Sequence, residues 1–264
     1  MIDIHSHILP ATDDGAQSLE DSLAIGRQES EGGTTVVFAT PHIYNVADLQ
    51  KGPVFLQSVA SLQAEFDKEG VGIILASGAE VSPMMEVLDA LDSKLPITLA
   101  NKSKHLLLDL PLGQWPMYMD RLTFDLLALG ITPILAHPER TMPVQESIEV
   151  LIPFLERGVL CQVNAGSLTG KYGPFAKKRA NQILTRQWCQ FLASDIHRPS
   201  PKGPLLRGAM NLLSALPPKF LQDITVNNPG HVLAGTSVPS INYEILDARP
   251  ERTGFLSGLF KKRK

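Results

Sequence analysis

Short apolar runs of strand length alternate along this chain with segments whose apolar residues recur every three or four positions. Ile2 and Ile4 alternate with Asp3 and His5, which predicts a short strand ending at His5-Ser6-His7. Ser18, with Asp21 three residues on, reads as a capping box for a helix to about Glu31, stopped by Gly32-Gly33. Thr34 to Ala39 is a buried-strand run that ends at Thr40-Pro41-His42. Phe55, Val59, Leu62 and Phe66 share one helix face, punctuated by Gly70. Val71 to Ala76 is the next strand and runs on to Glu80, after which Ser82-Pro83 predicts the start of a short helix through Leu91.

The alternation continues. Ile97 to Leu99 reads as a small extra strand, and Leu106 to Leu108 as a strand ending at Asp109. Met119, Leu122, Leu126 and Leu129 mark a helix closed by Gly130. Ile131 to Ala136 is a strand ending at His137-Pro138-Glu139-Arg140; Ile148, Leu151, Ile152 and Leu155 mark a helix closed by Gly158. Val159 to Val163 ends at Asn164, a helix over about 175–185 carries Lys177-Lys178-Arg179, and Phe191 to Ala193 ends at Ser194-Asp195-Ile196-His197. Leu205 to Leu216 and Val232-Leu233 read as closing helices. Seven principal strands interleaved with helices argue a parallel sheet with crossover helices. The length of 264 residues is ordinary for one α/β barrel.

Composition narrows the classes. Hydrophobic residues at 44% and charged residues at 19% support a sizeable core. A net charge of -3 gives no overall basic footprint for nucleic acid. Two cysteines, Cys161 and Cys189, are too few for a disulfide framework and point to a reducing compartment. No signal peptide and no membrane span is expected, so the reading is a cytoplasmic protein. Neither cysteine has an arginine six residues on, where a thiol phosphatase needs one, and both read as structural. Gly-rich phosphate fingerprints and a G-x-S-x-G elbow are absent.

The chemistry sits at the ends of the strands. They deliver His5 and His7, His42, Glu80, Asp109, His137, Asn164, and Asp195 with His197. Five of the seven histidines fall in this set, outside it only His105 and His231. In a barrel of parallel strands these ends converge on one face. With Asp14, nine candidate ligands (His5, His7, Asp14, His42, Glu80, Asp109, His137, Asp195, His197) exceed the three or four that one zinc takes. Mixed imidazole and carboxylate donors suit Mn, Fe or Zn. Several ions would lower the pKa of bound water and clamp the oxygens of a phosphoester displacement. Arg140 is placed to fork a phosphate, though a surface arginine after a turn fits its spacing almost as well.

The ordered motifs MIDIHSHILPATDDGA, TPH at 40–42, GAE at 78–80, AHPER at 136–140, VNAGS at 163–167 and ASDIH at 193–197 resemble the PHP (polymerase and histidinol phosphatase) superfamily. They are most similar to its bacterial capsule and exopolysaccharide branch, the manganese-dependent protein-tyrosine phosphatases, over about residues 1–235. The resemblance implies a distorted barrel of seven α/β units around up to three Mn ions, with Fe or Zn as alternatives. It implies His5, His7, Glu80 and Asp195 on one ion, Glu80 bridging to a second held with Asp109 and His137, and Asp14, His42 and His197 on the third. A metal-bound hydroxide would attack phosphorus, with Arg140 and His42 as the catalytic side chains. The family usually carries Glu where this chain has Asp109, which either shifts the register or coordinates less tightly. The implied substrate is the phosphotyrosine tail of a membrane-associated tyrosine kinase that controls capsule synthesis. A small-molecule phosphoesterase and an inactive, metal-stabilised docking module are the rivals.

The reading divides the chain into a phosphatase domain over 1–246 and a flexible basic tail over 247–264. The tail's apolar 255–260 stretch and closing Lys261 to Lys264 run offer a contact to an anionic membrane or acidic partner.

Overall fold

The computed structural model describes residues 1–239; the tail over 247–264 and the last residues of the expected domain lie outside them. Nine strand segments form: β1 (Ile2–Ser6), β2 (Val36–Ala39), β3 (His42–Ile43), β4 (Ile74–Ser77), β5 (Glu80–Val81), β6 (His105–Asp109), β7 (Thr132–Ala136), β8 (Leu160–Asn164) and β9 (Phe191–Ala193). All ladders are parallel, as expected for strands joined by helical crossovers. They divide into a sheet ordered β1-β2-β4 and a sheet ordered β3-β5-β6-β7-β8-β9.

The division has a local cause. Thr40-Pro41 separates β2 from β3, and Gly78-Ala79 separates β4 from β5. Pro41 has no N–H to give a ladder, while its carbonyl accepts from the Glu80 N–H at 3.1 Å. A Cβ on Gly78 would lie 2.7 Å from the Leu99 side chain, so only glycine lets the second bend pack there. The expected strand over 71–80 is thus broken in two, an unexpected short strand β3 follows the expected run over 34–39, and the chain changes sheet at both points. At the far edges β1 meets the segment that follows β9, through a bridge between Ser6 and Ile196 and through the His7 N–H on the Ile196 carbonyl at 2.9 Å. The α/β class and parallel pairing are as expected, but among the described residues no closed barrel ladder forms.

Four other expectations are corrected. The extra strand at 97–99 is instead one 3-10 turn, Leu99–Asn101, with Ala100 in the left-handed region at φ 54. No helix starts at Ser82-Pro83, because the Ser82 N–H still pairs with the Ile43 carbonyl at 2.9 Å; the helix begins later, as Val87–Asp92. The helix around 148–155 splits into Ile148–Leu151 and Ile152–Glu156, with Pro153 in the first turn of the second. The helix at Leu19–Glu31 keeps only half of its box: Ser18 accepts from the Asp21 N–H, while the Asp21 carboxylate takes the Gln17 N–H.

Alternate strand positions face opposite layers. Ile4, Phe38, Ala76, Leu107, Ile134, Leu160 and Phe191 form an inner cluster with Val232 of the helix Asn228–Ala234. Leu106, Leu108, Leu135, Cys161, Val163 and Leu192 pack outward on the helices. The inner cluster takes residues from both sheets, so one core holds them together. Both cysteines are buried and unbridged, and burial pushes each thiol up. Among the described residues no helix is long and apolar enough to cross a membrane.

His105, at the start of β6, is buried with both ring nitrogens unpartnered. Burial, then the nearby Lys104 and His231, holds its pKa down at about 4. An unfolded histidine titrates near 6.5. Between those values the unfolded chain binds more protons, so stability falls as pH drops from about 6.5 to 4. In urea denaturation across that window, His105→Leu is expected to show a shallower loss than the parent chain; parallel slopes would refute this.

Candidate metal centre

The C-terminal ends of β1, β6, β7 and β9 and the first residues of the short strands β3 and β5 meet in one depression. His5 ends its ring there from β1, His7 just after it, and Glu80 opens β5. His137 follows β7 and Asp195 follows β9, each with left-handed backbone (φ 35 and 52). That conformation costs an ordinary side chain energy and turns each away from its strand direction.

Glu80 stands at the centre and is fully buried. Its Oε2 lies 3.2 Å from His5 Nε2, 3.3 Å from His7 Nε2 and 3.1 Å from His42 Nδ1, and its Oε1 lies 2.9 Å from His137 Nε2. Asp195 Oδ1 is 3.5 Å from His5 Nε2 and 3.4 Å from His7 Nε2. Asp14 Oδ1 sits 3.5 Å from both His42 Nε2 and His197 Nε2. Asp109 stands back: its oxygens are 3.6 Å from His42 Nδ1 and 4.0 Å from His137 Nε2. The β6–β7 register runs unbroken to Asp109 opposite Ala136, so no slip compensates for the short side chain.

All nine sequence-derived ligand candidates are therefore brought to this one depression. Donor atoms of seven of them converge in three groups: His5 with His7 and Glu80; His42 with Glu80 and Asp109; and His7, Asp14, His42 and His197; His137 and Asp195 stand beside these groups, against Glu80 and against His5 and His7. The grouping differs in detail from the expected one, since His42 faces both Glu80 and Asp14. A neutral imidazole has one acceptor nitrogen, so His42 can serve only one ion.

The donor chemistry fits cations. Glu80 Oε2 and His42 Nδ1 are buried without a hydrogen-bond partner. His5 and His7 point Nε2 atoms at each other 3.2 Å apart, an arrangement that suits two lone pairs on a shared cation. Without one, the same carboxylates act on protons instead. Burial disfavours the charged His5 ring, but Glu80 and Asp195 outweigh it and push its pKa up to about 9. Burial likewise opposes ionised Glu80, yet the His5 charge and the His137 contact hold it well down. Asp109 is pushed up to about 6 by burial and by Glu80, while burial holds His42 down at about 4.

Sequence reasoning missed the residues behind the ligands. Asp13 Oδ2 accepts from His7 Nδ1 at 2.7 Å and from the His42 N–H at 3.1 Å. Gln162 Oε1 faces His5 Nδ1 at 3.1 Å, and the Asp195 carbonyl faces His197 Nδ1 at 3.0 Å. In each case an acceptor fixes the proton on Nδ1 and leaves Nε2 free toward the cluster. Gln162 was legible as a polar residue inside an apolar strand run. Asn164 donates to Asp195 Oδ2 at 2.6 Å, and Arg140 Nη1 to the same oxygen at 2.8 Å. Arg140 also lies 4.1 Å over the Tyr172 ring. The half-exposed Tyr44 ring stacks on His42 at 4.5 Å and forms part of the rim.

The fold and this donor set define a parallel α/β protein with a histidine–carboxylate centre of metal-binding type at its strand ends. The chain belongs to the capsular polysaccharide synthesis CpsB/CapC family, whose model matches residues 1–234. It is 32% identical to the tyrosine-protein phosphatase YwqE of Bacillus subtilis over 197 residues, 75% of this chain and 77% of that protein. It is 27% identical to the tyrosine-protein phosphatase CpsB of Streptococcus pneumoniae over 243 residues, 88% of this chain and 98% of that protein. A crystal structure from work on YwqE and CpsB, described as unique metal-dependent tyrosine phosphatases, superposes with a TM-score of 0.84 at 28% identity, covering 91% of this chain and 97% of that one.

Removing the Asp13 carboxylate while keeping every ligand should loosen His7. Asp13→Ala is expected to lower metal affinity about 10–100-fold in competitive chelator titration. Unchanged affinity would take Asp13 out of the centre.

Proposed function

We propose that this chain is a metal-dependent tyrosine-protein phosphatase of capsule polysaccharide synthesis. The observation that carries the reading is Glu80, one buried carboxylate facing four imidazoles from three separate stretches of chain. His5, His7, Asp14, His42, Glu80, Asp109, His137, Asp195 and His197 would hold up to three ions, with manganese as the proposed metal. Bound ions supply an activated water and positive positions for the phosphoryl oxygens.

The remaining work falls to the chain's own groups. Asp13, Gln162 and the Asp195 carbonyl orient His7, His5 and His197. Arg140 is anchored on Asp195 by one nitrogen and braced by Tyr172, which leaves guanidinium N–H groups to take phosphate oxygens. His42, at the mouth, orients the site between Asp14 and Glu80. The Tyr44 ring offers an apolar wall to a phenyl group. A tyrosine phenolate, of pKa about 10, leaves with less protonation than an alkoxide requires.

The proposed substrate is the phosphotyrosine of a membrane-associated tyrosine kinase, met on the cytoplasmic side, with residues 1–246 as the catalytic domain. The shared inner core and the Ser6–Ile196 bridge support treating the two sheets as one distorted seven-unit barrel.

A phosphotyrosyl peptide tests the reading. Turnover is expected to disappear on chelation, return with Mn, and fall more than about a hundredfold in His137→Ala. A folded, metal-loaded protein that leaves the peptide intact would contradict it and favour a small phosphoester or a docking role.

A further inference from the structure

A groove of about 380 Å³ opens beside the centre, sharing His197 as a wall. Lys171, Arg198 and Lys202 line it, and among the described residues no carboxylate does. This cationic pocket stands out in a chain of net charge -3. Among the described residues none of the three cations forms an ion pair; Lys171 Nζ lies 5.0 Å from the Tyr172 ring. The basic run at 177–179 is a different feature, since Arg179 is spent on the Gln145 and Glu146 carbonyls.

The groove is built rather than incidental. Gln28 clamps its far loop, accepting from the Ser200 N–H at 2.9 Å and donating to the Ser200 carbonyl at 2.6 Å. Pro199 and Pro201 flank that residue and restrict the backbone. On the near wall a Cβ on Gly166 would fall 2.9 Å from the Tyr172 ring and 3.2 Å from Lys171 Cδ, so glycine admits the lysine stem. The clamped backbone fixes where Arg198 and Lys202 start, so only their exposed side chains have to order when an anion docks.

We infer that this groove binds an anionic side chain of the substrate polypeptide, close to the phosphotyrosine that the centre receives. The inference rests on the phosphatase reading above. Arg198 follows His197 directly, so an extended chain with its phosphate at the centre passes the cations within a residue or two. Lys171, Arg198 and Lys202 then set a preference for acidic flanks rather than the rate of hydrolysis.

The experiment uses the manganese-loaded full chain and two phosphotyrosyl peptides that differ only in Glu or Gln flanks on both sides of the phosphotyrosine. The parent chain is expected to favour the acidic peptide about three- to tenfold in KM, less at high salt. In Lys171→Gln/Arg198→Gln the ratio should approach one, while the charge-keeping Lys171→Arg/Arg198→Lys retains it. Lys104→Gln, before the opposite end of β6, should also retain it. Thermal unfolding checks that each variant is folded. A ratio near one in the parent, or an unchanged ratio in the double Gln variant, would overturn the inference. If neither peptide is hydrolysed, the phosphatase reading fails instead. Binding of the non-hydrolysable phosphonate pair then reads the groove, and equal affinities would overturn it.

Discussion

The structure depends on a buried carboxylate. Moving an ionised Glu out of water costs several kcal/mol unless charge and hydrogen bonds replace the lost hydration. Glu80 reaches that balance only because imidazoles from β1, β3 and the end of β7 stand around it. Their arrival requires the breaks at Thr40-Pro41 and Gly78-Ala79, which bend two strands inward where straight ones would pass by. The sheet division, the left-handed backbone at His137 and Asp195, and the polar residues beneath the histidines all serve this convergence.

Asp195 links the histidine cluster to Arg140. One oxygen faces His5 and His7, while the other accepts from Arg140 and Asn164. Arg140 is therefore positioned by a group that also faces His5 and His7, so its placement and the cluster's charge are coupled. Asp109 is the loosest member: its oxygens sit 3.6 to 4.0 Å from their nearest imidazoles.

Much of this was legible because strand-length apolar runs each stopped at a histidine or carboxylate. His5, His42, Glu80, His137 and Asp195 were visible by that rule, and parallel pairing made their convergence a consequence. The strand breaks were not visible, because TTVVFA and VGIILA continue smoothly by hydrophobicity up to their interruptions. Nor was the fate of 97–99, where Leu99 packs against Gly78 and Ala100 turns left-handed. Asp13 and Tyr44 sit in polar loops whose sequence is silent about tertiary partners; Asp13 looks like its neighbour Asp14, yet one braces His7 and the other faces His42 and His197.

The central claim is that Glu80 joins imidazoles around more than one cation. Elemental mass spectrometry of the manganese-loaded, desalted chain tests it most directly, beside Glu80→Ala. Donor groups that share His7, His42 and Glu80 predict at least two ions per chain in the parent, and Glu80→Ala should lose those that its two groups hold. A folded parent that retains one ion or none, or a Glu80→Ala variant with undiminished content, would contradict the account.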